Sequence, residues 1–435
     1  MVDRVHAAEV RIWNMLVGAV SWDTENRFAV FEFDPDFIEK GLDLSPIIMP
    51  IQKARRASRR FEFRRLPYET YKGLPGLLAD SLPDRFGNAI IDQWLAGQGR
   101  TSESFSPVER LCYTGKRGMG ALEFQPVINK QLETSVPVEV QALTELAQTV
   151  VERRTQLQAD IEMDPFDAIL NIIRVGTSAG GNRPKAVITM NEKTGAVRSG
   201  QVEAPKGFDY WILKFDGVQD ESLGDPVGYG RIEFVYHLMA KAAGIRMTEC
   251  RLLKEGGRAH FMTRRFDRPG GNQKQHVQSL CAMAHYDFNV AGAHSYEEAF
   301  QVMRELRLPY TDTIQQYQRM VFNVIARNQD DHTKNIAFIM NAQGKWRLAP
   351  AFDVTYACNP GGIWTHQHQM SIHGKRDDFT KQDLINVGKA MNIKSCEAII
   401  EEVVEAVSQW PQLSKESGVE KVHIVAIEKA HRLSL

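Results

Sequence analysis

Cysteine is sparse in this chain of 435 residues. There are five, at Cys112, Cys250, Cys281, Cys358 and Cys396, and none forms a C-x-x-C pair. An odd, scattered set argues against a disulfide frame or a zinc knot and for reduced thiols. No apolar run is long enough to span a bilayer, and Met1 to Val10 do not read as a signal peptide, so a cytoplasmic protein without membrane contact is expected. An excess of one charge is also missing. Lys+Arg total 53 against 54 Asp+Glu, a net charge of −1, so no global field gathers polyanions. The chain lacks an internal repeat at a solenoid period, a low-complexity tract, a Walker A loop and a Gly-x-Gly-x-x-Gly loop. What remains is ordinary for globular domains: 43% hydrophobic and 25% charged residues, in a length that accommodates two or three packed units.

Against that background one stretch stands out, Arg327-Asn-Gln-Asp-Asp-His-Thr-Lys-Asn335, followed by Ala351-Phe-Asp-Val354. An Asp, an Asn five residues on and a second Asp after a short hairpin is the order in which protein kinases place their base and magnesium ligands. Phosphoryl transfer needs an acceptor hydroxyl held in line with the γ-phosphate, and cations to offset the developing charge. Mg²⁺ takes oxygen ligands and usually only one or two protein carboxylates. Asp330 is therefore the candidate base, with Asn335 and Asp353 as metal ligands. Tyr317 to Ala326 reads as an apolar helix, Ile336 to Met340 as a buried strand, Asn341 to Gly344 as a turn and Trp346 to Leu348 as a returning strand. The alternative is that Asp330-Asp-His332 caps a loop and Asn335 closes a turn.

Upstream, Val175 to Lys185 reads V-G-T-S-A-G-G-N-R-P-K. Gly176, Gly180 and Gly181 would let backbone amides approach a phosphate, with Ser178 and Lys185 in reach. Taken alone, a tight turn explains the same glycines. Tyr210 to Asp216 (YWILKFD) reads as a strand with Lys214 inside it, on the side of Tyr210 and Ile212. A lysine in an apolar strand is costly unless paired. In kinases such a lysine grips the α/β-phosphates and pairs with a helix glutamate. Arg231 to Ala243 reads as a helix ending at Gly244, and Glu233 in its first turn is the candidate partner; the alternative is that Glu233 only favours the helix N-terminus.

This ordered set resembles the HipA-type serine/threonine kinases, the toxin halves of type II toxin–antitoxin pairs linked to persistence. The resemblance spans nearly the whole chain. It includes Gly76-Leu-Leu-Ala-Asp-Ser-Leu-Pro-Asp-Arg-Phe-Gly87, Gly118-Met-Gly-Ala-Leu-Glu-Phe124, Ser178 to Lys185, Tyr210 to Phe215, Asp330 to Asn335 and Phe352-Asp353. It implies an α+β, bilobal protein-kinase-like fold with a β-rich N-terminal subdomain and a mostly helical C-terminal lobe. It also implies ATP and Mg²⁺ as cofactors, Asp330 as base, Asn335 and Asp353 as magnesium ligands, Lys214 as nucleotide lysine and Ser178 as an autophosphorylated serine. Asp331 stands where many members have Gly, so either aspartate could serve as base; the spacing to Asn335 favours Asp330. The partners implied are a protein substrate such as an aminoacyl-tRNA synthetase, with growth arrest as outcome, and a small helix-turn-helix antitoxin through which operator DNA is reached.

Two other classes stay open. Asp330-x-His332-x-x-Asn335-Ile336 also resembles the catalytic loop of phosphoinositide kinases, which would make the acceptor a lipid or small molecule. An inactive kinase fold could instead act as corepressor with a DNA-binding antitoxin. Three segments are expected: a β-rich 1–135, a nucleotide-gripping 136–270 and a helical 271–435 carrying the catalytic loop. Two further features lie outside this scheme. His366, His368 and His373 cluster, but no Cys or acid within that stretch completes a metal site. Lys53 to Arg65 (KARRASRRFEFRR) carries seven basic residues, two phenylalanines and one acid, a composition suited to DNA phosphates or an acidic partner, or to a charged strand edge exposed to solvent.

Overall fold

The structure is a computed structural model and describes residues 4–97, 99–128, 135–155, 184–218 and 228–435. The chain divides into two compact units, the first formed by Met1–Ser45, Met49–Val227 and Arg251–Val277, the second by Pro46–Ile48, Gly228–Cys250 and Gln278–Leu435.

The first unit holds two antiparallel sheets. Alternating apolar residues over Glu9 to Val20 read as one run, but the chain reverses within it. Strands β1 (Ala7–Ile12) and β2 (Met15–Asp23) pair as a hairpin, Ile12 opposite Met15. The two residues between them, Trp13 and Asn14, have φ of 47° and 65°. Two left-handed residues in succession match the twist of a hairpin, and Asn-Gly is their usual signature; a tryptophan in the first position hides it. Strands β3 (Phe28–Phe33), β4 (Arg60–Glu62) and β5 (Leu122–Gln125) complete the order β4-β3-β2-β1-β5. Phe31, Phe33 and Phe61 meet edge to face beneath it, with ring centroids 4.8 and 5.8 Å apart for Phe31–Phe33 and Phe33–Phe61.

The second sheet consists of β6 (Lys185–Met190), β7 (Val197–Ser199), β8 (Asp209–Lys214), β9 (Cys250–Glu255) and β10 (Arg258–Arg264), in the order β7-β6-β8-β10-β9. Central β8 buries Tyr210, Trp211 and Leu213, the aromatic and branched content that marked it as a strand. Beside it the Gly118-Met-Gly120 segment wraps the buried Asp267. Gly120 N–H donates to Asp267 Oδ2 at 2.8 Å, and Arg265 and Arg268 donate both to that carboxylate and to the Gly118 and Gly120 carbonyls. Gly120 has φ of 78°, and a Cβ there would lie 3.0 Å from Val277 N, so only glycine fits.

The second unit is mostly helical. The Tyr310–Ile325 helix runs through its core, with Met320, Val321, Phe322, Val324 and Ile325 all buried, as expected of a helix covered on several sides. Around it lie Tyr229–Ala242, Tyr296–Glu305, Lys381–Ala390, Cys396–Ser408 and Trp410–Glu416. A three-stranded sheet, β11 (His276–Ser279), β12 (Ala337–Met340) and β13 (Trp346–Leu348), completes it. The α+β class, with a β-rich N-terminal part and a helical C-terminal part, is the one expected from the sequence. None of the five cysteines is joined to another by a disulfide.

Candidate active site

The core helix ends at Ile325, the chain loops through Arg327 to His332, and β12 and β13 follow as a hairpin closed by Gly344 N–H donating to the Asn341 carbonyl at 2.9 Å. Buried polar side chains fix this frame. Asp312, on the core helix and wholly buried, accepts from Arg347 Nε and Nη2 at 2.8 and 2.9 Å, from Leu348 N at 2.9 Å and from Arg246 Nη2 at 3.1 Å. Burial works against its charge, but these donors outweigh it and hold the carboxyl below its usual range. Arg319 on the same helix donates to the Ala349 carbonyl at 2.6 Å, and Ala351 N–H to the Arg246 carbonyl at 2.8 Å. Arg347, Leu348 and Ala349 are thus pinned to the core helix, and Ala351 to Arg246.

The segment after Asp353 returns to the loop before Asp330. Asn328 and Ala357 form a parallel bridge, and Gln329 N–H donates to the Ala357 carbonyl at 2.9 Å. This pairing brings Asp330 and Asp353 to the same place. The Asp330 carboxyl is raised above its usual range by burial first, with Asp353 and Asp331 adding to the rise, against His332 and the indole N–H of Trp364. Forty per cent of the Asp330 side chain remains open, so solvent moderates the effect. Asp353 itself has φ of 51°, a conformation that Asp tolerates better than most residues and that tends to occur at functional turns.

The two adjacent aspartates separate clearly. Asp331 is 1% exposed and saturated: Oδ2 accepts from the Tyr296 hydroxyl at 2.7 Å and pairs with His368 Nδ1 at 2.8 Å, while Oδ1 accepts from Gln369 N at 2.7 Å. Burial raises its pKa, but these partners together lower it on balance. Asp330 Oδ1 accepts from Trp364 Nε1 at 2.6 Å and lies 3.7 Å from His332 Nε2, and Oδ2 has no hydrogen bond to a described residue. Asp331 is a brace, and Asp330 presents an open oxygen.

Asn335, in the single turn Thr333–Asn335, donates from Nδ2 to the Asp330 carbonyl at 2.7 Å, which turns Oδ1 the other way. The donor set is then two carboxylates and an amide oxygen, hard ligands that suit Mg²⁺, whose remaining positions are usually filled by phosphate and water. Among the described residues no three His, Cys, Asp or Glu side chains form a metal-holding group, a number that a carboxylate–carboxylate–amide set does not reach. In the 366–373 histidine cluster, His368 Nδ1 is engaged with Asp331, while its buried Nε2 meets no hydrogen-bond partner among the described residues.

In the first unit, Lys185 on β6 and Lys214 on β8 are direct cross-strand partners. Directly opposed residues share a sheet face, and like charges so placed repel. Lys185 is buried, and the Lys214 ammonium lies 5.7 Å from the Phe261 ring centroid. Ser178, Gly180 and Gly181 lie outside the described residues. Glu233 is in the second unit and buried, on a helix that begins at Tyr229. It falls in the second turn, beyond the first-turn position that its proximity to Arg231 suggested, so a helix-terminus role does not account for it. Sequence spacing gave no sign of Trp364, Tyr296 or His368, which reach the loop from 34 to 37 residues away, or of Asp312, which braces Arg347 on β13 from 35 residues away.

Family models match both parts of the chain: the HipA-like C-terminal domain over residues 177–410 and the HipA N-terminal domain over residues 8–125. No curated protein matches. Among solved structures, HipA of Shewanella oneidensis MR-1, from its complex with HipB and operator DNA, is similar over 98% of this chain and 96% of its own, with a TM-score of 0.64 and 16% identity. At that identity the likeness is one of fold. The proinflammatory kinase CtkA of Helicobacter pylori aligns over 51% of this chain and 84% of its own, with a TM-score of 0.35 and 12% identity.

Proposed function

The chain belongs to the HipA family, and from that premise we propose that it is an ATP- and Mg²⁺-dependent serine/threonine protein kinase acting as a HipA-like toxin. The observation that carries the reading is the convergence of Asp330, Asn335 and Asp353 on one braced frame, with Asp331 saturated and Asp330 open.

Asp330 Oδ2 would accept the proton of the acceptor hydroxyl, its partner oxygen held by the Trp364 indole. Its raised pKa suits a group that must take up a proton and release it. Asn335 Oδ1 and Asp353 would hold the cation. The cation that these residues would hold would supply charge neutralisation for the phosphoryl group in transfer. Lys185 and Lys214 would hold phosphate oxygens, and Glu233 is kept as a candidate nucleotide-site residue. Ser178, beside Gly180 and Gly181, would be the autophosphorylated residue. The implied cellular substrate is a protein such as an aminoacyl-tRNA synthetase. The implied partner is a small helix-turn-helix antitoxin that brings the complex to DNA.

Intact-mass analysis after incubation of the purified chain with Mg-ATP tests the reading. One added phosphate is expected, mapped to Ser178, and none in Asp330→Ala. An unmodified wild-type chain would count against autokinase activity and favour the corepressor alternative. Transfer to a lipid extract but never to protein would favour the small-molecule alternative.

A further inference from the structure

The Lys53–Arg65 segment has no part in phosphoryl transfer, yet its charge is arranged with some order. It runs along the short Ile51–Arg56 helix, the bend after it and the edge strand β4. Some of its apolar residues point inward: Ile51 beside it, Ala54 and Phe61 are buried, while Phe63 is half-buried and Ala57 exposed. Its cations all point outward: Lys53, Arg55, Arg56, Arg59, Arg60, Arg64 and Arg65 are exposed. Three of them meet carboxylates, Arg55 with Glu39 at 3.8 Å, Arg59 with Glu32 at 3.3 Å and Arg64 with Glu62 at 3.0 Å. Lys53, Arg56, Arg60 and Arg65 have no ion-pair partner among the described residues.

Protection of a sheet edge does not account for this surplus. β4 is three residues long, and shortness with one or two charges already blunts an edge. Close like charges repel one another, which a polyanion would reverse. The identity of the cations narrows the choice further. Six of the seven are arginines, whose planar fork suits phosphate oxygens better than a lysine ammonium does. A protein partner would need an apolar or aromatic centre in its footprint. Among the described residues, the exposed large apolar ones, Val290, Tyr310, Ile363, Val422, Val425 and Leu433, all belong to the second unit and none to this segment. A phosphate backbone needs only repeated cations.

We propose that the Lys53–Arg65 surface binds the phosphate backbone of nucleic acid, with Arg56, Arg60 and Arg65 as principal contacts, independently of base sequence and of any partner protein. The chain as a whole is close to neutral, so the binding is local to this face.

Fluorescence anisotropy with a random-sequence duplex DNA, titrated with the full chain at several salt concentrations, tests the proposal. Wild type is expected to bind at low salt and weaken as salt rises. The triple variant Arg56→Gln/Arg60→Gln/Arg65→Gln should bind at least tenfold more weakly. Its slope of log K against log[salt] should be shallower by roughly 2.7, about 0.9 for each phosphate that the variant no longer neutralises. Lys389→Gln/Lys394→Gln/Lys421→Gln removes the same charge from exposed positions of the second unit and should bind like wild type. Asp330→Ala should also bind like wild type, which separates this surface from the kinase reading. Equal losses in both triple variants, no binding by wild type, or capture of anionic vesicles or polyglutamate but not of duplex DNA would overturn the proposal. Matching circular dichroism spectra would show that the variants are folded.

Discussion

Asp330 and Asp331 are neighbours in sequence with opposite duties, and the difference lies in their hydrogen bonds. Asp331 spends both oxygens on Tyr296, His368 and Gln369, whereas Asp330 keeps Oδ2 open. Asp331→Asn should cost about 3 kcal/mol, because it strips a buried charge from partners arranged around it. Asp330→Asn should leave the urea midpoint within the error of wild type while abolishing phosphate transfer. The pH dependence of stability separates them again. The folded pKa of Asp331 lies below its unfolded value of about 3.9. Its contribution is therefore complete above that unfolded value and lost as pH falls through the folded one. Urea midpoints measured from pH 6 down to pH 3 should fall more steeply for wild type than for Asp331→Asn. Parallel curves would remove the brace role. The sequence placed both aspartates in one motif but could not tell them apart, because the three partners of Asp331 are 35 to 38 residues away.

At the scale of elements, the β12–β13 hairpin was the most legible part of the chain. The turn at Asn341 to Gly344 and the strand at Trp346–Leu348 form where local pattern puts them, and the first strand starts one residue later, at Ala337. Their signals are local: branched residues, then turn residues, then return. The Glu9 to Val20 run was less legible, since its reversal at Trp13-Asn14 uses backbone angles that tryptophan does not advertise. The β6–β8 register was not legible at all. Lys185 and Lys214 are 29 positions apart, and only strand pairing sets them opposite each other. Lys185→Met and Lys214→Met should each weaken Mg-ATP binding about tenfold, or about 1.4 kcal/mol, by isothermal titration calorimetry, with little change in far-UV circular dichroism. Unaltered affinity in both variants would detach this sheet face from the nucleotide.

For the whole molecule, nucleotide binding should appear as stability. With a non-hydrolysable ATP analogue and Mg²⁺ at 100 times Kd, linkage adds about 2.7 kcal/mol to the folded state and raises the calorimetric Tm. Chelating the metal with EDTA should remove most of that gain, as should Asp353→Ala. A gain that survives chelation would mean that Asn335 and Asp353 hold no cation. The sequence by itself determined the chemistry on offer, the α+β class, the family and the order of the candidate site residues, because those are written in residue type, short spacing, local periodicity and the motifs that carry the resemblance. Only the tertiary structure decided which aspartate is a brace and which is open, which lysines face each other, and how a basic segment divides into an apolar underside and a cationic surface. Each of those depends on interactions between residues far apart in the chain, and burial and pairing set a charged group's energy more than its place in the sequence does.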